Sequence, residues 1–134
     1  MKEPGIARAG RYRQENVAIT GASTTPPDFL HLPQEMAAMV EWCETTNELH
    51  AIERAAQLHA RFAKIHPFID GNGRTGRLLL NFELMKAGYP PAIIRKEDRL
   101  EYYNVLDEAC VTGDYTGITQ LVAESAERSV SLYL

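Results

Sequence analysis

One stretch of twelve residues, His66-Pro67-Phe68-Ile69-Asp70-Gly71-Asn72-Gly73-Arg74-Thr75-Gly76-Arg77, holds the side chains best suited to chemistry. Asp70-Gly71-Asn72-Gly73 is a run of turn-permissive residues leading into a helical pattern. Backbone N–H groups at such a helix start, with the positive end of the helix dipole, form an anion site. Arg74 and Arg77 stand three apart on one face of the first turn. Two guanidinium groups there oppose the dipole. A bound polyphosphate reverses that sign, since Arg matches phosphate oxygens bidentately. Asp70 offers a hard oxygen ligand beside those phosphates, which suits Mg²⁺. His66 titrates near neutrality, as a general base must. A base, a metal carboxylate, an anion nest and two arginines are the parts that phosphoryl-group chemistry requires. Each part has a plainer use: Gly-Asn-Gly is a common turn, an Arg pair a solvated face, and His-Pro a structural histidine. Their joint occurrence favours a site. It is not a P-loop, because no Lys-Ser/Thr pair and no preceding strand are present.

Helices on both sides must position this stretch. Helical spacing begins at Pro33, with Met36, Met39, Val40 and Cys43 on one face and Pro33 suited to the first turn. A second helix is expected from about Leu49 to Ile65, with Ile52, Ala56, His59 and Phe62 in one stripe. A third runs from about Gly73 to Ala87 and stops at Gly88, before Pro90 and Pro91. Its Leu78, Leu79, Leu80, Phe82, Leu84 and Met85 point nearly all round, which predicts the central buried helix. Two more are expected over about Asp98–Val111, with Leu100, Tyr103, Leu106 and Cys110 facing inward, and about Tyr115–Leu132. Val17-Ala18-Ile19-Thr20 alternates weakly between turn signals and reads as a short strand or hairpin. The fold class is all-α with one small N-terminal β element.

The chain has 134 residues, enough for one domain spanning 1–134. Its net charge of −4 argues against a general nucleic-acid binder. No apolar run approaches a membrane span, and the first residues lack the apolar core of a signal peptide. Cys43 and Cys110 are far apart and read as buried free thiols, which points to a reducing, cytoplasmic setting. The abrupt start and the finish at Ser131-Leu132-Tyr133-Leu134, inside a helical pattern, suggest a core cut from a longer protein.

HPFIDGNGRTGR resembles the Fic family signature HPFx(D/E)GNGRxxR at every specified position. The resemblance extends over nearly the whole chain. GRYR and VAITGASTTPP look like the family's lead-in loop and β-hairpin flap, and Pro33, Met36 and Trp42 match the helix that follows. LLLNFELMKAGYPP and EYYNVLDEACVTGDY match the region after the signature. The pattern is most similar to the branch whose self-inhibiting helix precedes the core, which includes animal endoplasmic-reticulum enzymes, although no such targeting signal is seen. The resemblance implies a Fic-type helical bundle that moves AMP from ATP onto a Ser, Thr or Tyr hydroxyl of a target protein. His66 would be the base, Asp70 would hold Mg²⁺ against the α- and β-phosphates, and amides around Gly71, Asn72 and Gly73 would stabilise phosphate charge. Arg74 would bind the β-phosphate and Arg77 the γ-phosphate, with Thr75 lining the loop. Tyr102 and Tyr103 resemble an aromatic pair near adenine and ribose, with core packing as the alternative. The flap at Gly21, Ala22, Ser23 and Thr24 would clamp the nucleotide and align the target backbone by strand addition.

Two departures stand out against that pattern. Cys110 lies where relatives often carry Asn or another polar residue, so a contact near the adenine is in doubt. The family's inhibitory pattern (S/T)xxxE(G/N) occurs nowhere; the nearest approach, Glu15-Asn16, has Arg11 at the hydroxyl position. The expectation is therefore a constitutively active core capable of self-modification, with the inhibitory Glu deleted upstream or supplied by an antitoxin chain. Transfer of UMP, phosphate or phosphocholine remains open, as do removal of AMP and a non-catalytic nucleotide-binding role. Intact Gly71 and Gly73 speak against a Doc-like kinase, and the presence of His66 against a vestigial site.

Overall fold

The structure is a computed structural model and describes residues 10–133. The first nine residues, on which the absence of a signal-peptide core was partly judged, lie outside the described part, as does Leu134. Five α-helices are present among the described residues: α1 (Leu32–Thr45), α2 (Ala51–Ile65), α3 (Asn72–Lys86), α4 (Arg99–Thr112) and α5 (Thr116–Tyr133). Short 3₁₀ turns at Phe29–His31 and Lys96–Asp98 lead into α1 and α4. The expected helices are all found, with ends within about two residues of the signals that marked them. Pro33 lies in the first turn of α1, and Gly113 (φ 75°) ends α4. The α3 end is closed by Gly88 N–H to Met85 O and Tyr89 N–H to Leu84 O, both 3.0 Å. None of the helices is long and apolar enough to cross a membrane.

The central helix is α2, which packs against α1, α3, α4 and α5. Ala55, Ala56 and Ala60 are fully buried on it, and their small side chains let Leu80 and Leu84 of α3 and Ile118, Leu121 and Val122 of α5 approach closely. Burying each of these larger side chains contributes about 1.5–3 kcal/mol. A second cluster joins Leu32 and Met39 to Leu58, Phe62 and Ile65, closing α1 onto the end of α2 that precedes the signature loop.

This corrects the expectation for α3. Leu78, Phe82 and Met85 are 65%, 61% and 56% exposed, so α3 is not enclosed all round. Only the face bearing Asn72, Gly76, Leu80, Glu83 and Leu84 is buried. An apolar count says how much surface a helix offers, not how many neighbours it meets. The same holds on α4, where Tyr102, Ala109 and Cys110 face inward while Leu100 and Tyr103 turn outward.

The N-terminal β-hairpin is also corrected. No strand exists among the described residues: 17–24 is irregular, with a turn closed by Ala22 N–H to Ile19 O at 3.2 Å. Alternation over four residues is a weak strand signal, and the amides just after the turn go to a carboxylate. Asp107 of α4 accepts from Ser23 N at 3.0 Å and from Thr24 N at 3.0 Å.

Candidate functional site

His66 is the residue at which α2 ends, and it adopts the left-handed conformation with φ 49° and ψ 60°. No other non-glycine described residue has positive φ, and such a conformation is unfavourable for a residue with a Cβ. The cap holds because His66 N–H donates to Phe62 O at 3.0 Å, while its own carbonyl accepts from Arg13 Nε at 2.8 Å. The fold thus turns the chain sharply and sets the imidazole at the mouth of the following loop. Burial, and secondarily the Arg13 charge, lower the His66 pKa below its ordinary 6.5. The imidazole is neutral at neutral pH, as a base requires.

Arg13 is almost wholly buried and acts as the tie of this region. Besides His66 O, it donates to Glu15 O, Pro27 O and Ile65 O at 2.9, 2.6 and 3.3 Å. Its backbone N–H adds a bond to Pro67 O at 2.8 Å. Sequence reasoning placed it in the lead-in GRYR and assigned it no role. A single arginine carries no sign that it will collect carbonyls from remote segments.

The loop between α2 and α3 is closed by Asn72. Its Oδ1 accepts from Phe68 N at 2.9 Å and its Nδ2 donates to Phe68 O at 2.8 Å. The Asn72 side chain is therefore a clasp inside the loop, while its backbone N–H stays at the helix start. Gly71 occupies φ 84°, where a Cβ is disfavoured, and forms the N-cap of α3. The first helical bond is Thr75 N–H to Gly71 O at 3.0 Å, so the amides of Asn72, Gly73 and Arg74 precede the ladder. Those three donors and the dipole make a helix start suited to an anion; of the amides expected there, those of Asn72 and Gly73 lie in it, while Gly71 N–H goes to Asp70 Oδ1 and Arg74 N–H takes its place.

Arg74 and Arg77 are exposed on this first turn, with Thr75 half-buried beside them. Both guanidinium groups fold back over the glycines: a Cβ at Gly71 would lie 3.5 Å from Arg74 Nη2, and one at Gly73 would lie 3.1 Å from Arg77 Nη1. Glycine at these points leaves the backbone open beneath the cations. Asp70 is exposed at the loop tip, with Oδ1 accepting from Gly71 N–H at 3.0 Å. The described residues contain no group of three or more His, Cys, Asp or Glu able to hold a metal by themselves. One exposed carboxylate beside an anion nest does fit Mg²⁺ that arrives with phosphates, since Mg²⁺ keeps most of its shell as water and phosphate oxygens.

The aromatic pair separates. Tyr102 is 4% exposed and Tyr103 is 55% exposed, with rings 5.2 Å apart. The Tyr102 hydroxyl lies 2.6 Å from His59 Nε2 in the core, so Tyr102 is a core residue of α4 and only Tyr103 presents a free ring face. Cys110 is buried, its Sγ 3.7 Å from Ala60 O, and burial raises its pKa to about 11. Gly21 and Ala22 lie in the turn before Ser23 and Thr24, whose amides are engaged by Asp107. Those backbone hydrogen bonds lower the Asp107 pKa. Asp107 and His59 were missed in the sequence, because their partners are remote in it.

Comparison with known proteins follows the same lines. The model of the Fic/DOC family matches residues 2–84, which include the whole signature. A protein adenylyltransferase Fic from Nematostella vectensis is 44% identical over 128 residues, covering 94% of this chain and 29% of that protein. Protein adenylyltransferase fic-1 from Caenorhabditis briggsae is 39% identical, covering 94% of this chain and 25% of the relative. The chain therefore spans less than a third of the length of these relatives. Among solved structures, Fic-1 (residues 134–508) from C. elegans superposes with a TM-score of 0.83 at 36% identity, covering 96% of this chain and 37% of that one. A Fic family protein from Desulfovibrio desulfuricans G20 gives 0.79 at 32% identity, covering 92% and 40%.

Proposed function

The chain belongs to the Fic/DOC family, and on that footing we propose that it is the catalytic core of a protein adenylyltransferase. It would move AMP from ATP to a Ser, Thr or Tyr hydroxyl of a target protein. The observation that carries this reading is the neutral imidazole of His66, held in a left-handed cap at one end of a clasped loop whose other end is an open helix N-terminus with two arginines. The named activity of the relatives supports it.

In the proposed reaction His66 takes the proton from the target hydroxyl. The oxygen forms a bond to the α-phosphorus of ATP, the bond from that phosphorus to the bridging oxygen breaks, and pyrophosphate leaves. The amides of Asn72, Gly73 and Arg74 stabilise charge on the phosphate oxygens. Arg74 takes the β-phosphate and Arg77 the γ-phosphate. Asp70 would hold Mg²⁺, which when bound neutralises charge on the α- and β-phosphates. Tyr103 is the ring open to the adenine. Target alignment by the 17–24 segment draws on the amides of Val17 to Gly21, or needs Ala22 released from Ile19 O and Ser23 and Thr24 released from Asp107. Among the described residues no carboxylate is ion-paired with Arg77. Two free thiols, Cys43 and Cys110, fit a reducing, cytoplasmic setting.

The test is intact mass after incubation with Mg²⁺ and ATP, with His66→Ala alongside. Added AMP on the chain or on a target, absent with His66→Ala, is expected. Equal modification of both chains would remove His66 from its role, and phosphate in place of AMP would change the transferred group.

A further inference from the structure

Arg61 stands one turn before the end of α2, with Lys64 and Ile65 beside it at helical spacing. Its guanidinium carbon lies 4.3 Å from the centre of the Trp42 ring of α1. It lies 5.5 Å from the ring centre of Tyr115, the residue before α5. Such contacts use the flat face of the guanidinium, and its N–H bonds, which lie in the plane, stay without acceptors. Among the described residues no hydrogen bond or ion pair reaches Arg61. Its Nε is enclosed and unpartnered, whereas the two terminal nitrogens are not enclosed. The side chain lines a cavity of about 160 Å³ together with Glu35, Met39, Lys64, Ile65 and Tyr115.

Packing alone does not call for an arginine here. An aliphatic side chain would cover the same rings with no buried N–H left over, and an unpaired buried donor is unfavourable. An anion in the cavity gives the guanidinium the partner that the fold withholds. We propose that this cavity is a carboxylate site, which takes an Asp or Glu side chain of a partner protein end-on against Nη1 and Nη2 of Arg61. Because Nε is closed off, the fork of the two terminal nitrogens is the edge that remains, and it matches a carboxylate with two parallel hydrogen bonds. Lys64 adds a second cation at the exposed rim, and Glu35, also exposed there, is ion-paired with neither. Two cations against one carboxylate leave a local positive excess in a chain of net charge −4, which favours an acidic partner at this point. Buried Met39 and Ile65 offer an apolar wall to the methylenes of the incoming side chain. The volume is below the roughly 300–1,000 Å³ of a drug-sized pocket and suits one side chain reaching in from a partner's surface. Contact with Trp42 and Tyr115 restrains the guanidinium beforehand, so less rotamer entropy is lost on binding.

The site is independent of the loop chemistry, and its test needs no nucleotide. Arginine side-chain and backbone nitrogen NMR of the whole chain is followed while acetyl-Ala-Glu-Ala-amide, its Gln counterpart or butyrate is added at millimolar concentrations. The Glu peptide is expected to shift Arg61 Nε–H and the amides of Met39, Lys64 and Tyr115 saturably. The Gln peptide should bind at least about tenfold more weakly, and Arg61→Met should weaken the Glu peptide by a similar factor. Lys64→Gln, at an exposed position, should weaken it about threefold. Should Arg61→Met fail to fold, the Gln peptide and Lys64→Gln decide. Equal binding of the Glu and Gln peptides, or wild-type affinity in a folded Arg61→Met, overturns the carboxylate site and leaves Arg61 a packing residue of Trp42 and Tyr115. Butyrate bound at these residues without the Glu peptide overturns the protein partner, since the cavity then takes a free acid. No shift with any of the three probes overturns the site altogether.

Discussion

The Arg13 guanidinium donates its Nε hydrogen to the His66 carbonyl over 2.8 Å, across 53 positions of sequence. A cation from the first described segment thereby secures the cap on which the candidate base sits. The bond joins fold stability to catalytic geometry at one residue.

Arg13→Met is accordingly expected to damage both. Removing the donors leaves the carbonyls of His66, Pro27 and Ile65 unpaired in a largely buried place. The loss should be about 3 kcal/mol, seen as a fall of roughly 10 °C in thermal midpoint. A shift under about 2 °C would mean that water replaces the guanidinium without difficulty.

Acid should weaken the fold in a defined window. Burial is the main cause lowering the pKa of His59 and of His66 from 6.5. Between that unfolded value and the lower folded ones the unfolded chain binds more protons, so stability rises with pH there. The contribution is fully present above pH 6.5 and is lost as the pH falls toward the depressed values. Denaturant titrations on either side of the window check this, and His66→Ala should remove only its own share. The rate of the proposed AMP transfer should hold at pH 6.5 and fall below it, since the lowered pKa keeps His66 unprotonated there.

Asp107→Ala should free the 17–24 segment without unfolding the bundle. Three contacts to two backbone amides disappear, all near the surface, so the loss of global stability should be about 1 kcal/mol or less. Amide exchange at Ser23 and Thr24 should accelerate well beyond that of α2. Unchanged exchange would show that other contacts hold the segment.

Asn72→Ala tests the clasp. The variant keeps the backbone amide and loses both bonds to Phe68, so loop order should suffer along with about 2 kcal/mol of stability. Transfer activity should drop by more than the fall in folded fraction explains. Activity lost only in proportion to unfolding would make the clasp purely structural.

The sequence alone carried the local parts of this protein. The start at Pro33 and the stop at Gly88 follow from local signals, because capping and breaking are decided within a turn or two of chain. The signature residues were legible together because His66 through Arg77 are contiguous, and a loop followed by a helix start keeps them close in space. The strand expected at Val17–Thr20 is absent because a ladder needs a partner strand, and none forms among the described residues. Which face of α3 is buried, why Tyr102 and Tyr103 part company, how Arg13 reaches His66 and where His59 finds its partners were decided only by tertiary structure. Each depends on atoms far apart in sequence meeting in three dimensions, and short-range spacing holds no record of that.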